Sequence, residues 1–157
     1  MSTYSATIIW KRDNQPFIDN QYKRVHKWEF DGGETVRASS SPNVVPAPLS
    51  DPSAVDPEEA FIASISSCHM LWFLSIAAKR GFVADHYSDT SEGILAKDSN
   101  GRLSITEVTL RPHVIYDKNS SPEEKINIKM HQQAHKKCFI ANSVKTEIKV
   151  ESTIGRG

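Results

Sequence analysis

The chain has 157 residues, 38% of them hydrophobic and 24% charged, and its 19 Lys and Arg are matched by 19 Asp and Glu. That is enough for one ordinary domain with its own core, and a net charge of zero supplies no overall electrostatic pull toward nucleic acid or an anionic membrane. The expected partner is a small molecule or a second copy of the chain.

The opening residues carry no basic segment followed by an apolar one, and no uninterrupted apolar run reaches the ~18 residues of a membrane span. A cytoplasmic protein is expected, in a compartment that keeps thiols reduced. The two cysteines, Cys68 and Cys138, then read as inert buried thiols or as redox-active ones, not as a structural staple.

Residues 3–10 are rich in β-branched and aromatic side chains and predict a strand. Residues 13–20 are polar and contain Pro16, which marks a loop. Residues 22–30 alternate at period two, and Asp31-Gly32-Gly33 closes a hairpin into residues 34–39, so the N-terminal strands occupy 3–39. Residues 40–55 hold Pro42, Pro46, Pro48 and Pro52, a longer irregular stretch than a connector needs.

A fully punctuated central helix follows over 56–80. Asp56 suits the N-cap, Pro57 the first position, and Glu58 and Glu59 the positive end of the dipole; Glu59 completes a variant of the capping box. Lys79 and Arg80 fall in the last turn and Gly81 can take the left-handed position beyond it. Apolar residues from Phe61 to Ile76 wrap most of the circumference, predicting burial on nearly all sides. A domain of this size struggles to bury such a helix alone, so a partner subunit is expected.

Residues 82–96 and 102–116 predict two antiparallel strands around the turn Asp98-Ser99-Asn100-Gly101. A second helix over 121–137 has little apolar content and reads as a surface helix, with Cys138 just after it. A final strand spans 143–153. The order predicts a single α+β domain over 1–157 with antiparallel pairing.

The chemistry turns on the thiols. A thiol buried in an apolar helix is ordinarily inert; it becomes a nucleophile only if a cation or donor stabilises the thiolate. That requires an arginine, and the arginine requires an orienting carboxylate. A thiolate so activated can attack an O–O bond, releasing an alcohol and leaving a sulfenic acid. A second cysteine can condense with that acid to a disulfide, which a dithiol reopens by exchange; no metal, flavin or haem is needed.

Asp56-Pro57-Glu58-Glu59-Ala60-Phe61, followed by Ser66-Ser67-Cys68, resembles the osmotically induced protein C and organic hydroperoxide resistance (OsmC/Ohr) family. There a Pro-Glu pair opens the central helix, and the reactive cysteine stands ten residues beyond the Glu, as Cys68 does from Glu58. Cys138-Phe139-Ile140-Ala141-Asn142-Ser143-Val144 resembles the family's second-cysteine segment. Tyr22-Lys23-Arg24-Val25-His26-Lys27-Trp28 with Asp31-Gly32-Gly33 resembles the N-terminal hairpin of an OsmC-like subfamily.

The resemblance implies an antiparallel sheet wrapped on a long central helix, and an intertwined homodimer with two active sites at its interface. It implies a cysteine-based peroxidase acting on organic hydroperoxides, with Cys68 as peroxidatic thiol, Cys138 as resolving thiol, Glu58 as the orienting carboxylate and a small dithiol or lipoyl-type reductant. Arg24 is the activating arginine by position in the hairpin; Arg37 is the alternative. Ten helical residues rise about 15 Å, so Glu58 cannot touch Cys68 along one straight helix. Either an extended Arg bridges them or Glu58 precedes the regular helix.

Phe61, Ile65, Leu71 and Trp72 could line a pocket for the alkyl part of a hydroperoxide, or simply pack the core. His69 adjoins Cys68, but adjacent helical side chains point about 100° apart, so a hydrogen-bonded core or interface role is expected. Two rivals stand beside the enzyme reading. His131, His135 and Cys138 form H-x3-H-x2-C, a metal-like spacing for which Cys68 or His113 could add a ligand only by long-range folding; exposed histidines on a polar helix are the ordinary explanation. The other is a non-catalytic protein of the same fold that binds a hydrophobic ligand or a protein partner.

Overall fold

The computed structural model describes residues 1–157, the side chain of Arg156 excepted. The chain forms two compact units, Met1–Ala60 and Phe61–Gly157.

In the first unit β1 (Ala6–Ile9), β2 (His26–Phe30) and β3 (Thr35–Ala38) make an antiparallel sheet in that order. Ile8 and Val36 both stand opposite Trp28, on its two sides. The hairpin turn is the expected one: Gly33 takes φ 90 and its N–H bonds the Phe30 carbonyl at 2.9 Å. β2 begins later than the alternation implied, because the Arg24 N–H bonds the Leu49 carbonyl at 2.7 Å instead of joining the ladder. Residues 40–55 return to β3, where the Ser39 N–H bonds the Val55 carbonyl at 3.0 Å. This sets Asp56 at the head of the helix.

α1 (Pro57–Lys79) has both predicted ends. Asp56 Oδ1 accepts from the Glu59 N–H at 2.7 Å, and Glu59 Oε2 accepts from the Asp56 N–H at 3.3 Å, a complete capping box. At the other end Gly81 takes φ 79, the Phe82 N–H bonds the Ala77 carbonyl and the Gly81 N–H bonds the Ala78 carbonyl, each at 3.0 Å. That double closure is the Schellman motif.

Within a single chain α1 is buried on one side only. Ile65, His69, Phe73, Ile76 and Ala77 are buried along one stripe, while Leu71 is 62% exposed and Ala63, Ser64, Ser67 and Ala78 are exposed with it. The chain's own strands and second helix reach only one side of α1. By length and composition alone α1 is long and apolar enough to cross a membrane, a test that the core helix of a soluble protein also passes.

In the second unit each expected long strand is split. β4 (Ala84–Asp89) and β5 (Glu92–Lys97) replace the first, β6 (Leu103–Leu110) and β7 (Pro112–Tyr116) the second. Pro112 has no N–H to donate, and the Arg111 N–H bonds Asp89 Oδ1 at 2.7 Å, so both breaks face each other. The final strand also divides, into β8 (Glu147–Val150) and β9 (Thr153–Arg156).

The halves assort into two sheets, β4-β7-β9 and β5-β6-β8. β4·β7 and β5·β6 are antiparallel, as predicted, but β6·β8 and β7·β9 are parallel. The correction has a cause: α2 (Glu124–Lys137) carries the chain back before the last strands begin, and a helical crossover yields parallel neighbours.

Phe73, Ile76 and Ala77 of α1 pack with Val114, Tyr116, Met130 and Ala134; Ile65 packs with Val108 and Leu110. α2 is not the surface helix its composition suggested. It buries Asn127, Met130, His131 and Ala134, which lie on one helical face. Two of the four are polar, so hydrophobic patterning hides the face; Asn127 Oδ1 accepts the Tyr116 hydroxyl at 2.7 Å, while His131 Nε2 is enclosed without a hydrogen-bond partner.

Candidate active site at the two cysteines

Cys68 stands midway along α1 and is half-buried; Cys138 is 1% exposed, and both are free thiols. α2 ends at Lys137, and Cys138 leaves it in extended backbone, φ −67 and ψ 112. A single 3₁₀ turn, Ala141–Ser143, folds the chain back. That turn directs the Ala141 N–H at Cys138 Sγ, 3.3 Å away. The same sulfur lies 4.0 Å from the carbonyl oxygen of Ile65, one turn before Cys68 on α1. The second cysteine is thus seated on the turn of α1 that presents the first.

Burial, and then a hydrogen bond with Cys68, push the Cys138 thiol up to about 11; the Ala141 N–H works in the opposite direction. Cys138 is therefore a thiol, not a thiolate, at neutral pH. The two sulfurs are unequal: one is half-buried, the other enclosed and protonated.

Trp72, one turn beyond Cys68, meets Phe139 edge-on with ring centroids 5.5 Å apart, and Lys137 Nζ lies 5.2 Å above the Trp72 ring. Residues on both sides of Cys138 thus pack against an aromatic beside Cys68. Sequence reasoning assigned no role to Phe139 or Lys137; the one available signal was an aromatic directly after the second cysteine, and Phe139 is 66% exposed. Ile65 lies fully in the core, Phe61 packs against it, and Leu71 projects from the exposed side of α1.

Arg24 and Glu58 belong to the first unit. Arg24 is half-buried; its guanidinium donates to the carbonyls of Tyr22 and Asn20 and to Asn20 Oδ1, and meets no carboxylate among the described residues. Arg37, in contrast, is paired with Asp51. Two hydrogen bonds from Ser53, with help from Arg37, hold that carboxyl down at about 2. Glu58 is half-buried and its Oε2 is enclosed without a hydrogen-bond partner. It is the second residue of α1, so it does not precede the regular helix.

His69 is a hydrogen-bonded core residue, as expected. Its Nε2 lies 2.9 Å from His131 Nδ1, and the two rings are coplanar within 1°. His131 also stacks on Phe73 at 3.9 Å. Burial, and for His69 the nearby His135, lower these imidazoles to about 4 and about 3 respectively. The expectation of exposed histidines on α2 fails at His131, which is 2% exposed because it packs against His69 and Phe73 of α1. Its Nδ1 is spent on His69 and Cys138 is turned to Cys68. Among the described residues no group of three His, Cys, Asp or Glu side chains is placed to hold a metal.

Two mixed sheets on one apolar helix, with a half-buried thiol backed by an enclosed one, define an α+β protein built around a dithiol. Residues 50–153 match the OsmC-like protein family, and the chain belongs to it. It is 55% identical to an OsmC-like protein of unknown function from Vibrio cholerae, over 98% of this chain and 100% of that one, with a TM-score of 0.96. An organic hydroperoxide resistance protein from Elizabethkingia anophelis shares the fold at 14% identity and a TM-score of 0.68, covering 100% of this chain and 98% of that one. OhrB of Bacillus subtilis, also an organic hydroperoxide resistance protein, does so at 18% and 0.66, over 98% of each chain. No curated protein matches the chain.

Proposed function

We propose that the protein is a thiol-dependent peroxidase that reduces organic hydroperoxides to alcohols. The observation that carries this reading is the placing of a protonated, enclosed Cys138 against the turn of α1 that bears half-buried Cys68. In the first step the Cys68 thiolate attacks the terminal oxygen of R–O–O–H. An S–O bond forms, the O–O bond breaks, and the alkoxide takes a proton and leaves as alcohol. In the second, Cys138 Sγ displaces the hydroxyl of the sulfenic acid; its proton leaves with that hydroxyl as water, and a disulfide remains. A dithiol, of lipoyl type by family resemblance, supplies two electrons and restores both thiols.

By family resemblance thiolate stabilisation is assigned to Arg24 rather than Arg37, since Arg37 already has Asp51 and Arg24 meets no carboxylate among the described residues. The unpartnered Glu58 Oε2 is the acceptor that would orient it. Trp72 and Phe139 offer an apolar wall for the alkyl group. A second copy of the chain would cover the exposed side of α1, which a lone chain leaves apolar.

The test is turnover of cumene hydroperoxide with a dithiol. Cys68→Ser should abolish it. Cys138→Ser should stop after one turnover with a sulfenic acid on Cys68 that a cyclic dione traps. Unimpaired turnover in Cys68→Ser ends the proposal and favours a non-catalytic protein that binds an apolar ligand.

A further inference from the structure

A cleft of about 530 Å³ lies between α2 and the segment that runs from β8 toward β9. It belongs wholly to the second unit, and neither cysteine lines it. Ile128, Ile148 and Val150 give it apolar walls, and its volume falls in the range of small-molecule sites.

His131 and His135 stand one turn apart on α2 and both line the cleft. His131 is 2% exposed and its ring is held: Nδ1 lies 2.9 Å from His69 Nε2, and the ring stacks on Phe73 with centroids 3.9 Å apart. Its Nε2 is nevertheless enclosed with no hydrogen-bond partner among the described residues, and so is His135 Nδ1. An enclosed nitrogen without a partner is costly and uncommon in a folded chain. Two of them on one wall of one cleft suit a ligand that bonds both.

Charge decides what kind of ligand. The Glu151 carboxylate at the cleft is engaged by Arg111 Nε at 3.2 Å, whereas the Lys136 ammonium meets no carboxylate among the described residues. The uncompensated charge at the rim is therefore positive. Burial keeps His131 neutral, so it can hold an anion only through an N–H.

We propose that this cleft binds a small monocarboxylate with an apolar chain. The chain lies against Ile128, Ile148 and Val150, the carboxylate oxygens accept from His131 Nε2 and His135 Nδ1, and Lys136 supplies the charge at the rim. His131 Nε2 carries a proton only when His69 Nε2 donates to His131 Nδ1, so the carboxylate selects one of the two tautomers of the pair. Both cleft nitrogens are closed to solvent, so entry requires the exposed Gln132 and Lys136 side chains, which line the same cleft, to turn aside. Nothing in this site depends on the reaction proposed for the thiols.

The probe is hexanoate, with hexanamide as its uncharged counterpart. Each is titrated into the full chain and followed by nitrogen NMR of the backbone amides and the imidazoles. Hexanoate should give saturable shifts at Ile128, His131, His135 and Val150, and should bring the His131 proton onto Nε2. Hexanamide should bind about tenfold more weakly, because its hydrogen bonds lose their charge assistance. His135→Leu should weaken hexanoate about tenfold, the loss of one hydrogen bond to a charged group. Lys136→Gln should weaken it about threefold, the size of an exposed ion pair, and this exposed residue guards against a His135→Leu that fails to fold. No saturable shift by about 20 mM hexanoate, the weakest binding that so few heavy atoms allow in a formed site, would overturn the proposal. Equal binding of hexanamide, or saturable shifts confined to residues outside the cleft, would overturn it as well.

Discussion

Cys68 and Cys138 are alike in sequence and unlike in place. Cys138 is enclosed between a 3₁₀ turn and a carbonyl of α1, and its thiol stands at about 11. It should therefore resist alkylation by iodoacetamide at neutral pH and react appreciably only as the pH climbs toward that value, as peptide mass spectrometry would show; rapid modification at pH 7 would contradict the enclosure. Its titration also bears on stability. Folded, it holds its proton to about 11, and its ordinary value is 9.0, so the contribution is whole below about 9 and is lost as pH rises through 11. The inequality between the thiols is not in the sequence, because burial and the Ala141 N–H come from the 3₁₀ turn.

At the scale of elements, α1 was the most readable part of the chain. Its caps are local chemistry, and both formed as the residues required. Asp56→Ala should lower stability by about 1 kcal/mol, as other N-cap losses do, measured by denaturant unfolding. α2 was the least readable. Its buried face includes Asn127 and His131, whose burial depends on Tyr116 and His69, distant in sequence. The histidine pair joins α1 to α2 only while neutral. Unfolded, both titrate near 6.5; folded, near 4 and 3. The unfolded chain thus binds more protons across that interval. Stability should be whole above pH 6.5 and decline as pH falls toward 3, with replacement of both by Leu flattening the slope. His69→Leu alone should cost about 1–3 kcal/mol, because His131 Nδ1 loses its partner.

On the scale of the molecule, an apolar helix covered on one side raises the question of its other side. Leu71 is 62% exposed among small side chains, a surface that lets another helix approach closely. If a second copy of the chain covers it, Leu71→Asp should convert a dimer to a monomer in sedimentation velocity. It should also lower activity, while the far-ultraviolet spectrum holds. A parent protein that sediments as a monomer at micromolar concentration contradicts the expectation.

Whatever is local was decided by the sequence itself: the capping box, the left-handed Gly33 and Gly81, the long apolar helix and the two cysteine segments that mark the family. These depend on residues a few positions apart, where side-chain chemistry fixes backbone geometry. Tertiary structure alone decided the splitting of the strands at Arg111 and Asp89, the parallel pairing of β8 with β6 and of β9 with β7, the histidine pair and the seating of Cys138 beside Cys68. Each of these depends on which distant groups lose water together, and no local pattern records that.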